Sequence, residues 1–395
     1  METVRSHVLD LEFTPEQQML RDTVRGVCES YCRLELVRSL EDDPSGMPAE
    51  LWKQLGQLDL IGLLLPEEHG GSGMSLLEGV VLYEELGRAL APVPHFVSAV
   101  LSGGALVRAG TGEQKSRWLP AIASGEAVLS VAWLEPEGAF SPGGVTTRAE
   151  PDGAGWRLHG TKRHVLFAAD ARQLVVLARS GEAPAEIDLY LVDPSDPGVR
   201  LTQQLSIASD TQYQVELDGV KVEAAARIGP AGSGWRTWDA VMHEGVVLLA
   251  AQAVGGARRA LDITVQYAKD RHQFDKPLGA FQAIAHYLAD AVTAVDGGTT
   301  LVHEAAWAQA SGRPEARRLA AMAKLFACQT YRDVTAMAQQ VFGGIGFTVE
   351  FDIQLFFRRA KALQLSWWDT AHLEQLVAGE LLASGATNVG LSSRR

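Results

Sequence analysis

Cysteine is scarce in this chain: only Cys28, Cys32 and Cys328 occur in 395 residues. Three thiols cannot build a disulfide framework, and a reducing compartment is the expectation. Cys28 and Cys32 stand four apart on one helical face with no histidine nearby, a spacing that suits packing better than a metal ligand set. No metal is expected. Long apolar runs are also missing. The longest, residues 245–256, is too short and too rich in small residues to span a bilayer, so no membrane partner is expected. Positive charge is not in excess either. The formal net charge of −13 argues against a nucleic-acid partner, which needs a basic face. The first thirteen residues carry Arg5, His7, Asp10 and Glu12 and do not read as a signal peptide. The expectation is a soluble, cytoplasmic protein. No internal repeat or low-complexity segment is visible.

What is present is ordinary globular material. Hydrophobic residues make up 47% and charged residues 21%, and the length allows two or three packed units. Disorder is expected only at residues 392–395. Thr14-Pro15-Glu16-Gln17 predicts a helix start, with Thr14 as N-cap and Gln17 closing a capping box. Helical periodicity continues to about residue 124, broken at 44–48 and 66–75. Short β-branched or alternating runs follow at 127–133, 156–159, 174–178, 188–192 and 213–217, separated by Gly and Pro clusters. Helices return at 235–269, 281–310, 314–342 and 370–383. Helices, then strands, then helices predict an α+β chain with segregated parts. The expected domains are 1–126, helical; 127–234, built of strands; and 235–395, a helical bundle. The pattern does not distinguish a barrel from an open sheet.

Two stretches carry ligand-type chemistry. In residues 267–282, YAKDRHQFDKPLGAFQ, an apolar helix ends on Arg271, followed by Gln273 and Phe274. The guanidinium is a planar fork suited to phosphate, Gln273 an amide donor and acceptor, and Phe274 an aromatic face. Together they could hold a charged, ring-bearing ligand such as the ADP half of a dinucleotide. A helix–turn–helix with an exposed arginine reads equally well from these residue types. In the second stretch, Gln340-Val341-Phe342-Gly343-Gly344-Ile345-Gly346 ends another long helix. Its glycines permit close backbone approach to a ligand, although a helix C-terminus also favours glycine.

Taken together, the two stretches resemble the acyl-CoA dehydrogenase family. There, an Arg-x-Gln-Phe turn and a Gln-x-x-Gly-Gly-x-Gly turn bind the ADP part of an FAD belonging to a neighbouring subunit. Further landmarks fall in the family's order along nearly the whole chain. They include Pro66-Glu67-Glu68-His69-Gly70-Gly71, Glu84-Glu85-Leu86-Gly87-Arg88, Glu135-Pro136, Gly160-Thr161-Lys162 and Leu217-Asp218-Gly219. The resemblance implies an N-terminal helical domain, a central β-barrel and a C-terminal four-helix bundle that makes the oligomer. It implies FAD as cofactor and an acyl-CoA substrate oxidised to the 2-enoyl-CoA. An electron-transfer acceptor protein is the implied redox partner. Implied cofactor contacts are Arg271, Gln273, Phe274, Gln340, Gly343 and Gly344 at the ADP end, and Trp133, Leu134 and His164 at the ring.

The chain departs from the family where the chemistry occurs. A carboxylate must sit beside the substrate α-carbon as base. Counting from Ala360-Lys361, the family's glutamate position falls on Trp367, which cannot take a proton; Asp369 follows two residues later. Some family members place the base on the first helix of the bundle. That position falls on Gly245, with Glu244 adjacent, so Glu244 is the candidate base, and His243 beside it is expected to be packed or exposed. Leu134 stands where the family has a threonine before Glu-Pro. His164-Val165-Leu166 replaces its Trp-x-Thr, so the hydroxyl donors to the flavin are gone. The ADP clamp is thus retained while ring contacts and base are not. That combination resembles the α2β2 acyl-CoA dehydrogenases of actinobacterial steroid catabolism, in which two related chains share each site. Two readings stand: a self-sufficient flavoenzyme, as a homo-oligomer, or a non-catalytic partner in a heterotetramer with a related chain.

Overall fold

The computed structural model describes residues 13–183 and 186–383. The disorder expected at 392–395 therefore lies outside the described residues. Helices α1 (Pro15–Tyr31), α2 (Leu34–Ser39), α3 (Ala49–Gln57), α4 (Leu76–Arg88), α5 (Gly103–Ala109) and α6 (Gly112–Ala123) come first. Three of them start on capping boxes. Thr14 and Gln17 hold each other's backbone N–H as the sequence predicts, and Ser75 with Glu78 and Thr111 with Gln114 repeat the device. Ahead of α5 the chain winds as a π-helix, Phe96–Ser102, which no periodicity announces.

The middle region is one mixed eight-stranded sheet: β1 (Leu129–Ala132), β2 (Arg148–Asp152), β3 (Gly155–Leu166), β4 (Gln173–Arg179), β5 (Ile187–Val192), β6 (Val199–Gln204), β7 (Gln212–Val222) and β8 (Arg227–Ile228). The pairing order is β6-β7-β3-β2-β4-β5-β8, with β1 parallel to β4. Leu158, Val165, Leu174, Val176, Tyr190, Tyr213 and Val215 meet inside it as a separate apolar core. The sheet thus wraps its own core as a barrel, with β6 and β8 at the two ends of the pairing path. Strands β2 and β6 were not legible in the sequence. Their residues are mostly exposed or half-exposed, so ladder hydrogen bonds hold them rather than an apolar alternation.

The C-terminal bundle is built on α7 (Gly234–Asp270), α8 (Gln282–Ala310) and α9 (Ala316–Phe342), completed by α10 (Ile353–Leu365) and α11 (Thr370–Ala383). A hairpin of β9 (His272–Gln273) and β10 (Lys276–Pro277) joins α7 to α8. The 245–256 apolar run proves to be the middle of a 37-residue helix that is long and apolar enough to cross a membrane, but its apolar window is 83% buried in the protein core. Helix α4 crosses α7 in backbone contact. A Cβ at Gly87 would lie 2.1 Å from the Gln252 carbonyl, and one at Gly255 2.0 Å from that of Glu84. Only glycine permits this approach, which seats the N-terminal helices on the bundle. Arg358 of α10 pairs with Glu41 after α2 and donates to Ser209 Oγ between β6 and β7 at 3.2 Å. One side chain thereby ties the three regions around the cleft between them.

Candidate functional site: two exposed turns and an aromatic-filled cleft

Parallel helices α7 and α9 end side by side, with Tyr267 stacked on Phe342 at 4.1 Å between centroids. The two ligand-type turns therefore emerge together at one end of the bundle. Arg271, Gln273, Phe274, Gln340, Gly343 and Gly344 are all exposed, Phe274 to 88%. Gly343 has φ +68° and ψ −147°, a conformation open essentially to glycine alone. A Cβ at Gly343 or Gly344 would meet nothing within 4 Å. A guanidinium, an amide, an aromatic face and bare backbone thus present themselves to an external ligand. That set fits the ADP half of FAD.

The second cluster lies between the barrel, the N-terminal helices and the bundle. Leu134 directly precedes Glu135, whose carboxylate is buried. Lys162 Nζ, itself fully buried, donates to Glu135 Oε1 at 2.6 Å and to the Trp133 carbonyl at 3.4 Å. Backbone N–H groups of Thr146 and Thr147 donate to the same carboxylate at 2.9 and 3.0 Å. Burial works to raise the Glu135 pKa, but Lys162 and these donors outweigh it and hold the group below its ordinary value. The Trp133-Leu134 backbone is thereby pinned against β3.

His164 sits in a β-bulge between Lys162 and Val165 with φ +54°. It is exposed, its N–H donates to Gln204, and its Nδ1 lies 2.6 Å from Gln212 Oε1. Trp133 is buried among other rings. Its indole stacks on Trp367 at 5.9 Å and 12°, and Trp238 and Phe140 lie at 5.1 and 5.7 Å. Phe96 of the π-helix meets Trp367 edge-on at 5.1 Å. The remaining cleft between Phe96, Leu166, Phe167 and Trp367 holds about 120 Å³. Ligand pockets ordinarily run to roughly 300–1,000 Å³. The stacked rings narrow the space where the barrel, the N-terminal helices and the bundle meet.

Trp367 and Trp368 both have positive φ, +54° and +72°. Such backbone costs roughly 1–2 kcal/mol per residue, less than the roughly 1.5–3 kcal/mol from burying a large apolar side chain. Both rings are buried, so burial prevails. Lys324, fully buried on α9, donates to the carbonyls of Leu363, Ser366 and Trp368 at 3.2, 3.0 and 3.0 Å. It caps the end of α10 and fixes the turn that carries both tryptophans. Sequence reading missed Lys324. Its signal was a lysine placed four residues from Ala320 and Cys328 on an apolar helical face.

The carboxylates considered for the base lie elsewhere. Glu244 pairs with Arg108 at the surface. The neighbouring position turns inward instead: a Cβ at Gly245 would touch Leu101 and Phe96 at 3.2 Å. Asp369 accepts the His372 backbone N–H at 2.9 Å and caps α11. His243 is packed edge-on against Trp368 at 4.7 Å. The clamp and the cleft do not converge within one chain. Gln252 on the cleft wall and Arg271 are separated along α7 by roughly 28 Å at 1.5 Å per residue.

Models of the acyl-CoA dehydrogenase N-terminal, middle and C-terminal domains match residues 14–126, 130–220 and 232–366 in turn. The chain belongs to the acyl-CoA dehydrogenase family. These are FAD-dependent oxidoreductases, and acyl-CoA dehydrogenation is the function the family membership gives. A probable acyl-CoA dehydrogenase, YngJ of Bacillus subtilis, is 32% identical over 95% of this chain and 100% of its own length. The ChsE4-ChsE5 complex from Mycobacterium tuberculosis contains a chain of similar structure, at TM-score 0.86 and 29% identity, covering 95% of this chain and 99% of that one. The Tcur3481-Tcur3483 steroid ACAD matches at TM-score 0.84 and 31% identity, over 94% and 99%.

Proposed function

We propose that the chain serves acyl-CoA dehydrogenation as one member of a two-chain enzyme. It supplies the contacts to the ADP half of an FAD whose ring and catalytic base belong to a related partner chain. The observation that carries this reading is Trp367: it falls at the family's glutamate position, cannot take a proton, and is stacked on Trp133 beside a cleft of about 120 Å³. Arg271, Gln273, Phe274, Gln340, Gly343 and Gly344 remain exposed at the other end of α7 for a ligand that this cleft does not share. Trp133 acts here within an aromatic wedge with Phe96, Trp238 and Trp367, and Leu134 and His164 act as structural residues of the barrel. Glu244 acts as a surface ion-pair partner of Arg108. Similarity to the ChsE4-ChsE5 complex and to a steroid ACAD of two named chains supports a heteromer and a lipid or steroid thioester as substrate. The assembly works in the cytoplasm and passes electrons to an acceptor protein. The test is FAD bound per chain, with the chain alone and with its partner. Little or none alone, and stoichiometric flavin bleached by an acyl-CoA in the heteromer, is the expected result. A homomer holding one FAD per chain that an acyl-CoA bleaches would refute the proposal.

A further inference from the structure

A second cleft lies away from the wedge, where the C-terminal ends of α1 and α4 meet the flank of α7 and the start of α10. It holds about 300 Å³, the lower end of the ordinary range for ligand pockets. Four arginines line it: Arg25, Arg33, Arg88 and Arg259. Two of them are paired. Arg25 donates to Glu85 through Nε and Nη2 at 3.0 and 2.6 Å, and Arg88 donates to Asp262 through Nη1 at 2.8 Å. Arg33 and Arg259 have no hydrogen bond or ion pair among the described residues, although the adjacent Arg258 holds Asp296. Arg259 is half-buried on α7, one turn before Asp262, and so stands beside the Arg88–Asp262 pair. Carboxylates line the cleft too, and their state decides the balance. Glu85 is taken by Arg25, and Asp352 by Arg38 at 2.6 Å. Glu29 and Glu35 are exposed, where water and salt screen them. Arg359, half-buried and also without a hydrogen bond or ion pair among the described residues, is close enough to Cys32 in the cleft wall to act on its thiol electrostatically. In a chain of formal net charge −13, this is a local surplus of half-buried cations. The carbonyl ends of α1 and α4 disfavour an anion, but Cys32 occupies two of those carbonyls. Its N–H donates to Cys28 at 2.8 Å and its thiol to Ala89 at 3.9 Å.

We propose that this cleft binds a small phosphate dianion, inorganic phosphate or a phosphate monoester, between Arg259 and Arg88 with Arg33 contributing from the junction of α1 and α2. Guanidinium forks match phosphate oxygens in both charge and spacing. The site is separate from the ADP clamp, because Arg259 and Arg271 lie roughly 18 Å apart along α7 at 1.5 Å per residue.

The test is calorimetric titration of the full chain with inorganic phosphate and with glycerol 3-phosphate, at fixed ionic strength. The chain carries Arg271→Ala, so that any phosphate held at the clamp is removed from the count. Phosphate should bind saturably, one per chain. Sulfate, of like shape and charge, should compete for the site, and chloride at the same ionic strength should not. Arg259→Gln should weaken phosphate about tenfold or more, as loss of a charge-assisted contact requires. Tighter binding of glycerol 3-phosphate than of phosphate would assign the site to an ester, and weaker binding to the free ion. No saturable binding up to ~10 mM phosphate, or chloride competing as well as sulfate, would overturn the proposal without any further variant having to fold. Phosphate held undiminished by an Arg259→Gln chain of parental melting temperature would also overturn it.

Discussion

His95, next to Phe96 of the wedge, is the residue whose titration should dominate the acid limb of stability. It is fully buried. Tyr83 donates its hydroxyl to Nδ1 at 2.9 Å, and Nε2–H donates to the Leu60 carbonyl at 3.2 Å. That pairing needs the neutral ring. Burial lowers its pKa to about 4, against the smaller opposing pull of the backbone acceptors. The unfolded chain therefore takes up this proton first on acidification. Stability is complete above about pH 6.5 and declines as pH falls through the interval down to about 4, by at most about 3 kcal/mol. Urea unfolding at pH 7.0 and 4.5 should show the loss in the parent and a shallower loss in His95→Gln, whose amide does not titrate. Equal losses would assign the proton elsewhere. Lys324 makes a different prediction. Lys324→Met strands three carbonyls, that of Trp368 buried, at a cost of about 1–3 kcal/mol or more. It should also weaken the near-ultraviolet dichroism of the stacked tryptophans. A variant with the parental melting temperature and spectrum would show that the turn holds itself.

Among the elements, the long helices and the caps were legible because burial imposes a period and a cap imposes residue types at fixed offsets. Thr14 and Gln17 show both. The barrel was half legible: β4 and β5 are mostly apolar and buried, while β2 and β6 lie at exposed positions and carry no such mark. Each clamp turn could be read because its residues are contiguous. The wedge could not. Phe96, Trp133, Trp238 and Trp367 come from four separate parts of the chain, and only the tertiary fold stacks them. The inward turn of Gly245 rather than Glu244 is also a matter of helix phase, set by how α7 packs on the π-helix. At this scale the clamp carries the prediction. In the two-chain assembly, Arg271→Ala should lose ~1.5–3 kcal/mol of FAD affinity, roughly tenfold to a hundredfold, with the wedge undisturbed. Flavin retention on dilution measures it, and unchanged retention would remove Arg271 from the cofactor's surroundings.

The whole molecule leaves apolar surface on its bundle that one chain does not cover. Tyr287, Val292 and Phe326 on α8 and α9 are exposed, as are Phe347 and Val349 beyond α9. Patches of this kind mark association. Light scattering at micromolar concentration should give a dimer or larger assembly, and a monomer would contradict it. The central claim is that this chain holds the ADP end of a cofactor whose ring contacts and catalytic base come from a related partner chain. Flavin absorbance per chain tests it most directly. The chain alone should carry well under one FAD, and addition of the related partner chain should bring stoichiometric FAD that an acyl-CoA bleaches. One tightly held FAD per chain in a homomer, bleached by an acyl-CoA, would contradict the account.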